Sequence, residues 1–90
     1  MPLKAAVLKI VSKQYAPSSF IETTFGRYDL AFKTEEEGRP VLLFIGQKNE
    51  RGDIVGERYT RRLLLDGNNK IIKDHWENKG KATIQVRSAA

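Results

Sequence analysis

Three arginines within five residues, Arg58, Arg61 and Arg62, stand beside Tyr59 and ahead of Lys73, Lys79 and Lys81. Side chains of this type neutralise phosphates and release counterions, so these six are the candidate site for a nucleic acid or another polyanion. Bases would stack on nearby aromatics, and Tyr28, Tyr59 and Trp76 are the rings in question. Two features oppose that reading. Tyr28 and Tyr59 share parity with Leu30, Phe32 and Leu63, which assigns them to a core. Glu57, Asp66, Asp74 and Glu77 interleave with the bases and would pair with them across strands.

Acid–base chemistry has one focus, Asp74-His75-Trp76, which holds the single histidine. Adjacent residues on a strand point to opposite faces, so Asp74 does not orient His75 as a triad acid would. The serines at 12, 18, 19 and 88 lack the strand-to-helix turn that exposes a nucleophile. His75 and Trp76 are therefore the candidate lining of a small-molecule pocket, and no catalytic residue is assigned. No cysteine and one histidine leave no metal site, and no glycine-rich phosphate loop or cofactor motif occurs. Arg51-Gly52-Asp53 matches a tripeptide that adhesion receptors read, but it also fits an ordinary turn before a strand.

Ninety residues make one domain with a modest core. The net charge of +5 favours anionic partners through long-range steering. It is unevenly spread: residues 34–53 hold five acids against three bases, while residues 54–90 hold eight bases against four acids. Without disulfides, and with an N-terminal apolar stretch broken by Lys9, the chain is expected in the cytoplasm and not in a membrane.

The elements that must carry these residues are mostly strands. Phe25 to Lys33 alternates, with Tyr28, Leu30 and Phe32 on one face and Arg27, Asp29, Ala31 and Lys33 on the other. Val41 to Ile45, an unbroken apolar run between Pro40 and Gly46, is expected to be the central and most buried strand. Ile54 to Leu65 and Lys70 to Trp76 flank the turn cluster Asp66-Gly67-Asn68-Asn69 as a hairpin, with a helix over Glu57–Leu65 as the competitor. Arg61 shares parity with Tyr59 and spoils the alternation, a sign of a bulge or strand end. Glu77 to Gly80 reads as a further turn before a strand at Lys81–Arg87, and the last three residues as frayed. Residues 3–12 fit a strand or a helix; their β-branched side chains tilt the reading to a strand.

The expected fold is mainly β: a small antiparallel meander of five or six strands, curled or half-open as a small barrel, with a short N-terminal helix as the alternative for residues 3–12. The expected function is that of a binding module without catalysis. One form is a protein-interaction or self-assembly domain working through a sheet edge or face. The others are polyanion binding through the basic β-surface, and a small-molecule site or weak acid–base enzyme centred on His75.

Overall fold

The computed structural model describes residues 3–85; Arg87 and the expected frayed end at residues 88–90 lie outside them. One helix and five strands follow in chain order: α1 (Ala5–Val11), β1 (Phe20–Phe25), β2 (Tyr28–Thr34), β3 (Pro40–Lys48), β4 (Ile54–Leu65) and β5 (Ile71–Ile84). The strands form a single antiparallel sheet in sequence order, which leaves β1 and β5 as open edges. Among the described residues, no helix is long and apolar enough to cross a membrane.

The N-terminal segment is helical where local propensity tilts towards a strand. Its stripe Leu3, Val7, Ile10 and Val11 decides the matter, because it fits one face of the sheet: Val7 and Val11 are 1% and 0% exposed. They pack with Leu30, Phe32, Leu43 and Tyr59, and Ile10, Ile21, Phe25 and Ile45 close the edges of that core. Tyr15 follows the helix, tilts against Phe32 at 4.9 Å and donates its hydroxyl to the Ile10 carbonyl at 2.6 Å. Tertiary burial here overrides a weak β preference.

Two further boundaries differ from expectation. The alternation from Phe25 to Lys33 is not one strand: the chain reverses through Gly26-Arg27, so that Phe25 pairs with Tyr28. Gly26 at φ 59° supplies the left-handed residue that a two-residue hairpin loop needs. At the other end, Glu77 to Gly80 is no turn. The chain continues through it as β5, and Arg58 faces two residues, Lys79 and Gly80, in a bulge between the pairs Glu57–Lys81 and Tyr59–Asn78. The extra residue is on β5, not on β4 near Arg61, where the broken alternation suggests a bulge or strand end. β3 is central in the sheet, as its apolar run implies, but burial is deepest on β2, where Leu30, Ala31, Phe32 and Thr34 are all buried.

β4 and the turn after it follow the expected limits, whereas β5 runs on past Trp76 to Ile84. Asp66 closes that turn, its Oδ1 accepting the amide protons of Asn68 and Lys70 at 2.8 and 2.9 Å. Because β3 pairs with β4 only as far as Thr60, the residues beyond extend past the sheet as a two-stranded ribbon. Arg51-Gly52-Asp53 lies in the β3–β4 turn, where Asn49 Oδ1 accepts the amide protons of Arg51 and Asp53.

Thr34 ties the crossing loop to the sheet. Its hydroxyl donates to the Ala16 carbonyl at 2.7 Å and accepts the Ser19 amide proton at 2.8 Å. Thr34→Val keeps the shape and removes both bonds. We expect it to cost about 1 kcal/mol in urea unfolding, the net worth of part-buried hydrogen bonds whose backbone partners can turn to water.

Candidate functional site

The sheet has two faces of different character. The helix-side face carries the core, Tyr59, Arg61 and Trp76. By the strand register, the other face carries Phe20 and Glu22 from β1, Ala31 and Lys33 from β2, Leu42, Phe44 and Lys48 from β3, Arg58, Thr60, Arg62 and Leu64 from β4, and Lys73, His75 and Glu77 from β5. Among the described residues, no helix covers this second face.

The six expected basic residues separate. Arg58, Arg62 and Lys73 come together on the uncovered face, all exposed, and none forms a salt bridge among the described residues. Four strand positions place Arg58 and Arg62 roughly 13 Å apart. Lys33 joins them from β2, across Leu42 from Thr60. The acids on this face are already engaged. Glu22 bridges Lys48 at 3.5 Å, Asp29 accepts the Lys48 amide proton at 2.9 Å, and Glu77 bridges Lys79 at 3.2 Å. Lys79 is therefore neutralised within the bulge. Lys81 stands opposite Glu57 on the helix side, away from the others.

Arg61 does something else. Its side chain is only 3% exposed, and every contact is inward. Nε and Nη2 bind the two Asp74 oxygens at 2.7 and 2.5 Å, while Nη1 donates to the carbonyls of Val11 and Pro40 at 3.2 and 3.1 Å. The guanidinium also lies 5.6 Å from the Trp76 ring. Arg61 thus joins the end of α1, the start of β3 and the β5 edge. The hydrogen bonds from Arg61, reinforced by its charge, hold the Asp74 carboxyl below the usual carboxylate range despite partial burial. Arg61 shares Tyr59's face with the alternation of β4 intact, so its parity marks a buried arginine and not a bulge or strand end at that point.

The expected aromatic platform is not on the basic face: Tyr28 shares the helix-side face of β2 with Leu30 and Phe32. Tyr59 and Trp76 face the helix side, as the core pattern of Tyr59 indicates. The rings on the basic face are Phe20 and Phe44, which the sequence reading did not single out. Each stands directly across the ladder from a cation: Phe20 pairs with Lys33 and Phe44 with Arg58. No local signal marks them: Phe44 lies inside an unbroken apolar run, and the face of Phe20 follows only from the register of β1 against β2. His75 and Trp76 lie on opposite faces of β5. His75 borders a shallow depression with Arg62, Leu64 and Lys73, whereas Trp76 packs against the core. Among the described residues, no three histidine or carboxylate side chains converge as metal ligands would.

The chain was compared with protein-family models, curated proteins and solved structures, and none matched.

Proposed function

We propose that this domain is a non-catalytic binding module of the cytoplasm whose uncovered sheet face takes an extended single-stranded nucleic acid. One observation carries the reading: the two cross-strand pairs Phe20–Lys33 and Phe44–Arg58, beside Arg62 and Lys73, which form no salt bridge among the described residues. A ring next to a cation is the unit that single strands require. The base stacks on the aromatic face and the phosphate meets the charge, independent of sequence. A double helix, rigid and closed, offers no unstacked bases to Phe20 or Phe44.

With Lys33, Arg58, Arg62 and Lys73 each meeting one phosphate, the salt slope for a single strand is about −2.8, so raising salt from 50 to 200 mM weakens binding roughly fifty-fold. Fluorescence anisotropy with a labelled mixed-sequence oligonucleotide measures this. The double variant Arg58→Glu, Arg62→Glu is expected to abolish binding. Lys9→Glu with Lys13→Glu, the same charge change on and just after α1, leaves most of it. Equal losses in both variants would reduce the effect to net charge alone. Equal affinity for duplex, or for an acidic polypeptide, would remove the stacking component.

A second reading, partner-strand addition, is favoured at one edge. β1 is a β-prone strand, FIETTF, whose single charged residue is Glu22. The β5 edge, in contrast, carries Lys73, Lys79, Lys81 and two register shifts, which resist pairing. Self-association through β1 predicts a mass that rises with concentration in light scattering and falls to the monomer in Thr24→Pro, since Thr24 alternates with the ladder-bonded positions and turns its N–H outward.

A further inference from the structure

The helix side of the sheet holds a cavity of about 260 Å³ near the start of α1, with the β1–β2 hairpin and the middle of β3 and β4 around it. Three aromatic rings, Phe25, Tyr28 and Tyr59, and one carboxylate, Glu57, line it, with Leu3 and Val7 from the helix segment. The carboxylate is held in place: Glu57 Oε2 accepts the Tyr59 hydroxyl proton at 3.3 Å and the Asn78 amide at 3.1 Å. Both bonds fall on one oxygen, which among the described residues leaves Oε1 for a ligand. Burial and the neighbouring Glu57 charge raise the Tyr59 phenol above its ordinary value, so it remains a neutral donor to that carboxylate.

We infer that this cavity binds an organic ammonium ion, with the rings of Phe25, Tyr28 and Tyr59 around the cation and Glu57 as its counter-charge. Aromatic faces carry negative potential, and a ring of them beside a carboxylate recognises quaternary and alkylated ammonium groups by a charge that is weakly hydrated. The chain supplies its own stand-in. Lys4 Nζ lies 5.8 Å from the centre of the Tyr28 ring at the cavity wall, an ammonium on the same aromatic surface. Lys4 therefore competes with the ligand. Lys81 stands opposite Glu57 in the ladder but forms no salt bridge with it among the described residues, so the carboxylate is not already neutralised. The cavity suits a small cation with a short apolar body, and its apolar walls exclude a strongly hydrated metal ion.

This site is separate from the basic face in position and opposite to it in charge preference. Its test uses choline against its neutral carbon isostere, 3,3-dimethylbutan-1-ol, titrated into the full chain and followed by amide chemical shifts. Choline is expected to move the amides of Phe25, Tyr28 and Glu57 with a Kd near the millimolar range, and the isostere to bind at least about fivefold more weakly. Glu57→Gln and Tyr28→Ala, both at exposed positions, each weaken choline by roughly five- to tenfold while the rest of the spectrum stays unchanged. Lys4→Ala tightens it by about two- to threefold, because the internal competitor is gone. No shift at 50 mM choline, equal binding of the isostere, or an unchanged affinity in Glu57→Gln would each overturn the inference.

Discussion

Replacing Arg61 with alanine is expected to destabilise the protein by roughly 2–4 kcal/mol, below the range for a fully buried ion pair because Asp74 remains partly in water. The magnitude follows from what the guanidinium holds. Four of its hydrogen bonds are made at once, to both oxygens of Asp74 and to the carbonyls of Val11 and Pro40. Its loss leaves two backbone carbonyls and a carboxylate to find other partners. It also removes a side chain that joins α1, β3 and β5. Lysine does not rescue the site, since a single ammonium cannot span that geometry. Asp74→Asn keeps a hydrogen-bonding oxygen and costs less, about 1–3 kcal/mol. A double-mutant cycle of Arg61→Ala and Asp74→Ala, followed by urea unfolding, should show strong coupling, because the second change removes a charge that the first has already stranded.

The same pair sets an acid limit. Asp74 has a folded-state pKa below its unfolded value, so its contribution is fully present above the unfolded value, roughly 4, and is lost as pH falls through the lower, folded value. Wild-type stability is therefore expected to decline with acidification below about pH 4, and Asp74→Asn to decline less over that window. The carboxylate is 36% exposed, so solvent screening keeps the effect modest.

Why Arg61 reads as a surface residue in the sequence, yet is buried, shows which signals are local and which are not. β4 and its turn are legible because propensity, alternation and turn chemistry agree from Ile54 to Asn69. The separation of Lys33 from Leu30 and Phe32 is legible for the same reason. Arg61 carried a correct signal, its parity with Tyr59, but a lone arginine within an apolar face has no meaning until Asp74, Val11 and Pro40 converge on it. The α1 segment satisfied both periods, and only the fit of Val7 and Val11 against the sheet chose between them. Glycines misled twice. Gly26 marked a hairpin hidden inside a continuing alternation, while Gly80 marked a bulge where a turn is the commoner outcome. The cavity was beyond reach, because its walls come from α1's approach and four strands and correspond to no spacing along the chain.

A second large effect is expected at the rung where Gly46 pairs with Gly56. A Cβ added to Gly46 would lie 2.1 Å from the Val55 carbonyl oxygen, and one added to Gly56 would lie 2.0 Å from that of Ile45. Both obstacles are backbone, so no side-chain rotation relieves them. β3 and β4 would have to separate, and separation breaks the ladder in the middle of the sheet. Gly56→Ala and Gly46→Ala are each expected to cost about 3 kcal/mol or more, at the upper end of overpacking. That is a large share of the roughly 5–10 kcal/mol available to a domain this small. Gly67→Ala is the control: nothing lies within 4 Å of its Cβ, and the change should stay within about 0.5 kcal/mol. The two damaging changes should not add. Once one alanine has opened the rung, the second meets a wider gap, so the double variant loses less than the two singles together. Additive losses would show instead that each glycine acts alone, through its own backbone. The neighbouring rung pairs Ile45 with Glu57, two residues of the cavity wall. The close approach of two strands that only glycine permits therefore sets the spacing at which Glu57 meets the aromatic rings. Amide exchange at Gln47 and Val55, the next rung outward, should accelerate in either single variant before any other part of the sheet responds.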